Sequence, residues 1–124
     1  MKDRSLWTWH TAAGLVILVF LGMHMVIMHL DTSVGIFNPE GGHPLDWANV
    51  IARGKSLTLA VTYVVLLGAA LYHGLYGLRN IVFELEPKRG VKVAVNWLLV
   101  VAGAGLFVVG TWAAWVSHQL AKGG

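Results

Sequence analysis

The sequence predicts an all-α integral membrane protein whose 124 residues form a single membrane domain of three transmembrane helices. Two compositional facts and one pattern carry this reading. Apolar residues make up 56% of the chain and charged residues only 12%, about half the charged share of an ordinary soluble domain. The mean hydropathy is +0.66, and a soluble fold of this length would have to expose its apolar excess as adhesive surface. The pattern is three apolar stretches, Leu6–Leu30, Leu57–Val82 and Val93–Val116, each at or above the roughly 20 residues a helix needs to cross a ~30 Å hydrocarbon layer. Inside lipid each backbone N–H and C=O must be paired within its own segment, so the stretches are expected as helices over about 6–30, 57–83 and 93–117.

The first helix follows the polar Lys2-Asp3-Arg4-Ser5, and no small-residue cleavage site follows a short apolar core, so it reads as a retained anchor. The long loop after it carries Asn38-Pro39-Glu40-Gly41-Gly42-His43-Pro44, which breaks any helix, and a short amphipathic helix is expected at Leu45–Ile51. The third apolar stretch contains Gly103 and Gly110, seven apart, which read as a small-residue packing seam. Of the nine basic residues, Lys2, Arg4, Arg79, Lys88, Arg89 and Lys92 fall at the N-terminus and second loop, against Arg53, Lys55 and Lys122 elsewhere. Six against three places the N-terminus in the cytoplasm. The net charge of +3 is too scattered for a nucleic-acid face. With no cysteine, thiol nucleophiles and thiolate-ligated iron–sulfur clusters are excluded.

Ionisable residues at membrane depth mark function by default, and three are present: His24, His29 and His73. Buried imidazoles without another redox-capable ligand suggest haem, whose iron takes histidine axially. The plainer alternative is a hydrogen bond between helices. At ~100° per residue, Gly77, Asn80 and Glu84 lie within about 40° of the direction of His73, and His10, Ile17 and Met28 share the face of His24. A glycine one turn from a ligand leaves room for a flat macrocycle. His24 lies some 18 residues past Leu6, about 27 Å along the axis, and His73 about 9 residues before Val82, about 13 Å. A difference in depth of roughly 14 Å prevents both from gripping one iron. Each is expected to serve a separate haem, with the opposing ligands and the rest of the bundle supplied by a partner subunit or a second copy. His29 is about 140° from His24, and Arg79 about 120° from His73, where a guanidinium still reaches a propionate. His43 and His118 fall outside the hydrocarbon and are assigned no chemistry.

These residues resemble a known family. His73-Gly74-Leu75-Tyr76-Gly77-Leu78-Arg79, followed by Glu84, is similar to the His-x3-Gly-x-Arg-x4-Asp/Glu pattern on the second helix of the membrane anchors of succinate dehydrogenase and fumarate reductase. Trp9-His10-Thr11-Ala12-Ala13-Gly14, then His24-Met25 and His29, resembles the first helix of the dihaem cytochrome b anchors of that superfamily. The likeness covers about residues 5–95 and matches one half of a dihaem anchor. It implies that His73 is the axial ligand of a cytoplasmic-side haem b and His24 of an outer one, each shared with a second anchor subunit. It further implies partnership with an iron–sulfur subunit and a flavoprotein, and electron exchange with quinone, menaquinone in most dihaem forms, in a prokaryotic cytoplasmic membrane. The chain would then be a non-catalytic subunit of the oxidoreductase, with His10 and Arg79 near a propionate or the quinone. Single-haem anchors carry Arg after the first-helix His and Ser before the Gly, where this chain has Thr11 and Ala13. Two alternatives remain open: a cytochrome b anchor of another membrane dehydrogenase, and a haem-free structural anchor.

Overall fold

A computed structural model describes residues 2–34 and 41–123, with side chains for 4–30 and 41–123. Asn38, Pro39 and Glu40 of the turn-rich stretch lie outside the described residues. Four helices follow one another: α1 (Lys2–Val34), α2 (Trp47–Gly54), α3 (Leu57–Glu84) and α4 (Arg89–Gly123), with no strand among the described residues. Three of them, α1, α3 and α4, are long and apolar enough to cross a membrane. The chain thus has the spanning elements of an integral membrane protein.

The helices outrun the apolar stretches that predict them. At 33 and 35 residues, α1 and α4 rise about 50 Å each, well beyond the hydrocarbon. Their polar ends, Lys2–Ser5, Arg89–Lys92 and Ser117–Lys122, continue the helix because the i to i−4 bond persists outside the apolar region. The start of α3 coincides with the expected one: Ser56 is extended (φ −79°, ψ 114°), and its hydroxyl accepts from the Leu59 N–H. Its end falls at Leu85 and Glu86, whose N–H groups turn back to Val82 and Phe83. Glu86 takes a left-handed conformation (φ 49°) before Pro87, which cannot continue a helix.

α3 is the middle of a single open layer. It packs on α1 along one side and on α4 along the other, and α1 and α4 do not meet among the described residues. Almost nothing is buried: Ala121 is the one buried hydrophobic residue described, and the membrane windows of all three long helices are open on their faces. Lipid tails are as apolar as leucine, so packing rather than burial from water brings such helices together. The expected seam on α4 does this. Gly103 receives Leu75, whose Cδ1 would stand 2.7 Å from a Cβ there, Gly110 receives Leu67, and Gly68 of α3 in turn receives Phe107.

α2 closes the end where α1 and α4 finish. It begins at Trp47, two residues later than expected, because Asp46 is extended and its carboxylate accepts the His43 N–H at 2.8 Å, which keeps Pro44 and Leu45 in a turn. Gly41 and Gly42 precede it at φ 71° and 76°, a region open to glycine and costly for side chains. Fully buried Asn49 donates to the Gly41 and His43 carbonyls at 2.8 and 3.1 Å, and Arg53 donates to that of Pro44. α2 is joined to α4 by His118, 2% exposed, whose Nδ1–H donates to the Gly54 carbonyl at 2.8 Å. The histidine without assigned chemistry is therefore a structural tie.

Removing that tie leaves a carbonyl without its partner, at about 1–3 kcal/mol. His118→Ala is expected to speed tryptic cleavage after Arg53 and Lys55 at least about fivefold, since proteolysis follows the population of the open form. Unchanged cleavage kinetics would show that α2 is held by other contacts.

Candidate functional site

α1 and α3 run antiparallel, and their seam brings two of the sequence-predicted residues into contact. His10 and His73 stack face to face, ring centroids 4.0 Å apart and planes 5° from parallel. The Nδ1 of His73 lies 3.0 Å from the backbone carbonyl of His10. A carbonyl can only accept, so Nδ1 carries a proton and donates it; of the two neutral tautomers, this contact selects the one with its lone pair on Nε2. The ring edge lies against Gly14: a Cβ at that position would stand 3.0 Å from Cε1 and 3.1 Å from Nδ1. Gly14 is four residues from His10 and therefore on the same side of α1.

Gly77 belongs to the same cluster in a different role from the expected one. Its bare face meets His10 Cε1, 3.5 Å from where a Cβ would be, so the space reserved for a macrocycle holds the first-helix imidazole. Tyr76 tilts against His10 at 5.2 Å and stacks on Tyr72 at 5.8 Å, whose hydroxyl donates to the Leu6 carbonyl at 3.0 Å. The site is therefore a small aromatic stack with the Gly14 and Gly77 notches at its edges. His10 Nδ1 is buried without a hydrogen-bond partner among the described residues. Buried polar atoms in folded proteins are nearly always paired, so such an atom calls for a water, a cofactor or a group from another chain.

His24 stands apart. It lies ten residues beyond Gly14, the position against which His73 rests, which is about 15 Å along α1. The unequal heights expected from the sequence are thus present in the packed helices. His10, Ile17, His24 and Met28 are all half-buried while Leu18, Met23, Met25 and His29 are exposed, so the stripe assigned to His24 is the sheltered side of α1. Arg79 borders the stack, its guanidinium 5.7 Å from the centre of the Tyr76 ring, and reaches toward α4. Its Nε donates to Asn96 Oδ1 at 2.7 Å and its Nη1 to Asn80 Oδ1 at 3.3 Å, and the guanidinium lies 4.2 Å from the centre of the Phe83 ring. Glu84 is exposed. No group of three metal-ligating side chains occurs among the described residues, so a metal would have to arrive within a cofactor or with ligands from another chain.

Sequence reasoning passed over Gly14, Tyr76 and Asn96 as site residues. Gly14 and Tyr76 carried a usable signal, since each lies one turn from a flagged residue on its own helix. Asn96 carried one too, as a lone amide in the apolar Val93–Val116 stretch. Comparison of the chain with protein-family models, curated proteins and solved structures finds no match.

Gly14→Leu drives a branched side chain into the His73 ring, and overpacking of this kind costs about 1–3 kcal/mol. The variant is expected to unfold at lower temperature in detergent than the parent. Gly22→Leu, at a position with nothing within 4 Å of its Cβ direction, should leave the transition where it is; equal effects of the two would remove the notch as a determinant.

Proposed function

We propose that this chain is a haem b-binding membrane anchor of a succinate:quinone oxidoreductase, a succinate dehydrogenase or fumarate reductase, with His73 as its principal axial ligand. The observation that carries the reading is the fixed tautomer of His73. Its Nδ1–H is held by the His10 carbonyl, the second contact that orients a metal-ligating histidine and raises its basicity, and Nε2 keeps the lone pair that iron requires. The donor set also fits: a membrane-depth imidazole, the unpaired Nδ1 of His10 beside it, and a second imidazole, His24, on the sheltered stripe of α1. Haem b, when bound, supplies a one-electron store in a dry interior whose potential axial ligands and nearby charge tune.

In this reading His73 and His24 hold separate haems at unequal depths, and the open α1–α3–α4 layer is completed by a second anchor subunit that brings the opposing ligands. His10 orients His73 and offers its Nδ1 to a propionate or a quinone carbonyl. Arg79, fixed by Asn96 of α4, serves the basic end. An iron–sulfur subunit docks there and passes electrons to quinone, menaquinone in the dihaem reading, while a flavoprotein carries the dicarboxylate chemistry. The excess of basic residues supports that end as the cytoplasmic one, and the family resemblance supports a prokaryotic cytoplasmic membrane.

A second reading is favoured by the packing of His73. A ring wedged in the Gly14 notch with its Nδ1–H on a carbonyl is also a complete interhelical tie in a haem-free anchor. The pyridine haemochrome spectrum of the purified complex separates the two. Haem b is expected in the parent at up to two per flavin, with His73→Ala losing at least half of it and His24→Ala depleting only a second haem. A parent complex without haem removes the cytochrome reading, and full haem content in His73→Ala removes the ligand assignment.

A further inference from the structure

A groove of about 610 Å³ runs between α3 and α4, with Leu6 of α1 at its rim and Tyr72 and Tyr76 dividing it from the stacked histidines. It extends from Gly68 to Arg79 on α3 and from Phe107 to Asn96 on α4, twelve residues on each, a rise of about 16 Å. That is roughly half of the ~30 Å hydrocarbon thickness, the depth of one leaflet. Arg79 and Asn96 stand at one end, and the rest of the groove is lined by side chains such as Leu71, Leu75, Leu99 and Ala104, with Tyr72 and Tyr76 along it.

We propose that this groove holds an acyl chain of an anionic phospholipid, with the lipid phosphate on Arg79. Arg79 is half-buried, keeps its charge at any physiological pH, and has no carboxylate within ion-pair distance among the described residues. Its Nε and Nη1 donate to Asn96 and Asn80, which fixes the guanidinium plane and leaves the Nη2 donors for a ligand. An arginine at the basic interfacial end of a span attracts anionic lipid headgroups, and the planar fork of donors matches a phosphate. Lys92 stands on the same side, 5.6 Å over the Phe83 ring that Arg79 covers, and Lys88 and Arg89 open the same end of α4. A neutral amphiphile of equal length would leave that charge without a partner, which is the ground for choosing a phosphodiester. The inference does not use the haem reading and holds equally for a haem-free anchor.

The test is native mass spectrometry of the full chain, with whatever subunits purify with it, titrated with dioleoyl phosphatidylglycerol or dioleoyl phosphatidylcholine. The parent is expected to bind the first at least about fivefold better. Arg79→Gln should reduce phosphatidylglycerol to the phosphatidylcholine level, and Ala104→Phe, which fills the apolar part, should reduce both. Lys88→Gln, a lost charge at the same end outside the groove, should change neither. Equal binding of the two lipids by the parent overturns the proposal, as does an Arg79→Gln protein that retains the preference. Binding of glycerol 3-phosphate as tight as that of the lipid would make this an anion site without an acyl chain, and equally overturns it. If Arg79→Gln does not fold, judged by helical circular dichroism, the Ala104→Phe arm decides, since undiminished lipid there excludes the groove.

Discussion

Both of the other spanning helices are positioned by α3. α1 and α4 never meet among the described residues, so the relation between them is whatever α3 imposes on each. The constraint behind this is the solvent. A bilayer offers no hydrophobic reward for bringing apolar helices together, so association depends on close fit and on the few polar groups that need one another. α3 meets both needs with different chemistry on its two sides. Toward α4 it relies mainly on shape, with Leu67 and Leu75 entering Gly110 and Gly103 and Phe107 returning into Gly68, and adds one polar contact, Arg79 on Asn96, at the basic end. Toward α1 it uses polarity, with His73 on the His10 carbonyl and Tyr72 on the Leu6 carbonyl.

That division was partly legible from residue order. The spans follow from length and hydropathy, the start of α3 from Ser56, and the α4 seam from two glycines seven apart. The pairing of His10 with His73 was not, because residue order gives the direction of each side chain about its own helix and leaves the register between helices undetermined. Gly77 illustrates the consequence. Its place on the His73 face was correctly read from the helical period, but whether that space admits a flat cofactor or a neighbouring imidazole depends on how far α1 slides along α3. His118 shows the same limit from the other side. Nothing local distinguishes it from a solvated histidine near a chain end, and only the return of α2 over α4 makes it a buried donor to Gly54.

The open layer bears directly on the proposed haem chemistry. Three helices in one plane enclose nothing, so a large planar cofactor at His24 or His73 needs a wall from elsewhere. The same geometry that sets His24 some ten residues along α1 from the stacked His10 and His73 also leaves a face against which another helical chain can seat. In the proposed haem reading, incomplete ligation and incomplete enclosure would have one remedy, a partner that supplies both.

The ligand and packing readings of His73 share the hydrogen bond to His10 and differ only at Nε2. Because the acceptor is a main-chain carbonyl, truncating the His10 side chain removes the stacked ring and leaves the acceptor in place. The backbone thus secures the tautomer of His73, while the His10 ring adds a second contact and its own unpaired Nδ1. A purely structural tie has no need for that second imidazole, since the carbonyl alone completes the bond. In the proposed haem reading the Nδ1 of His10 is the group still open to a propionate or a quinone carbonyl.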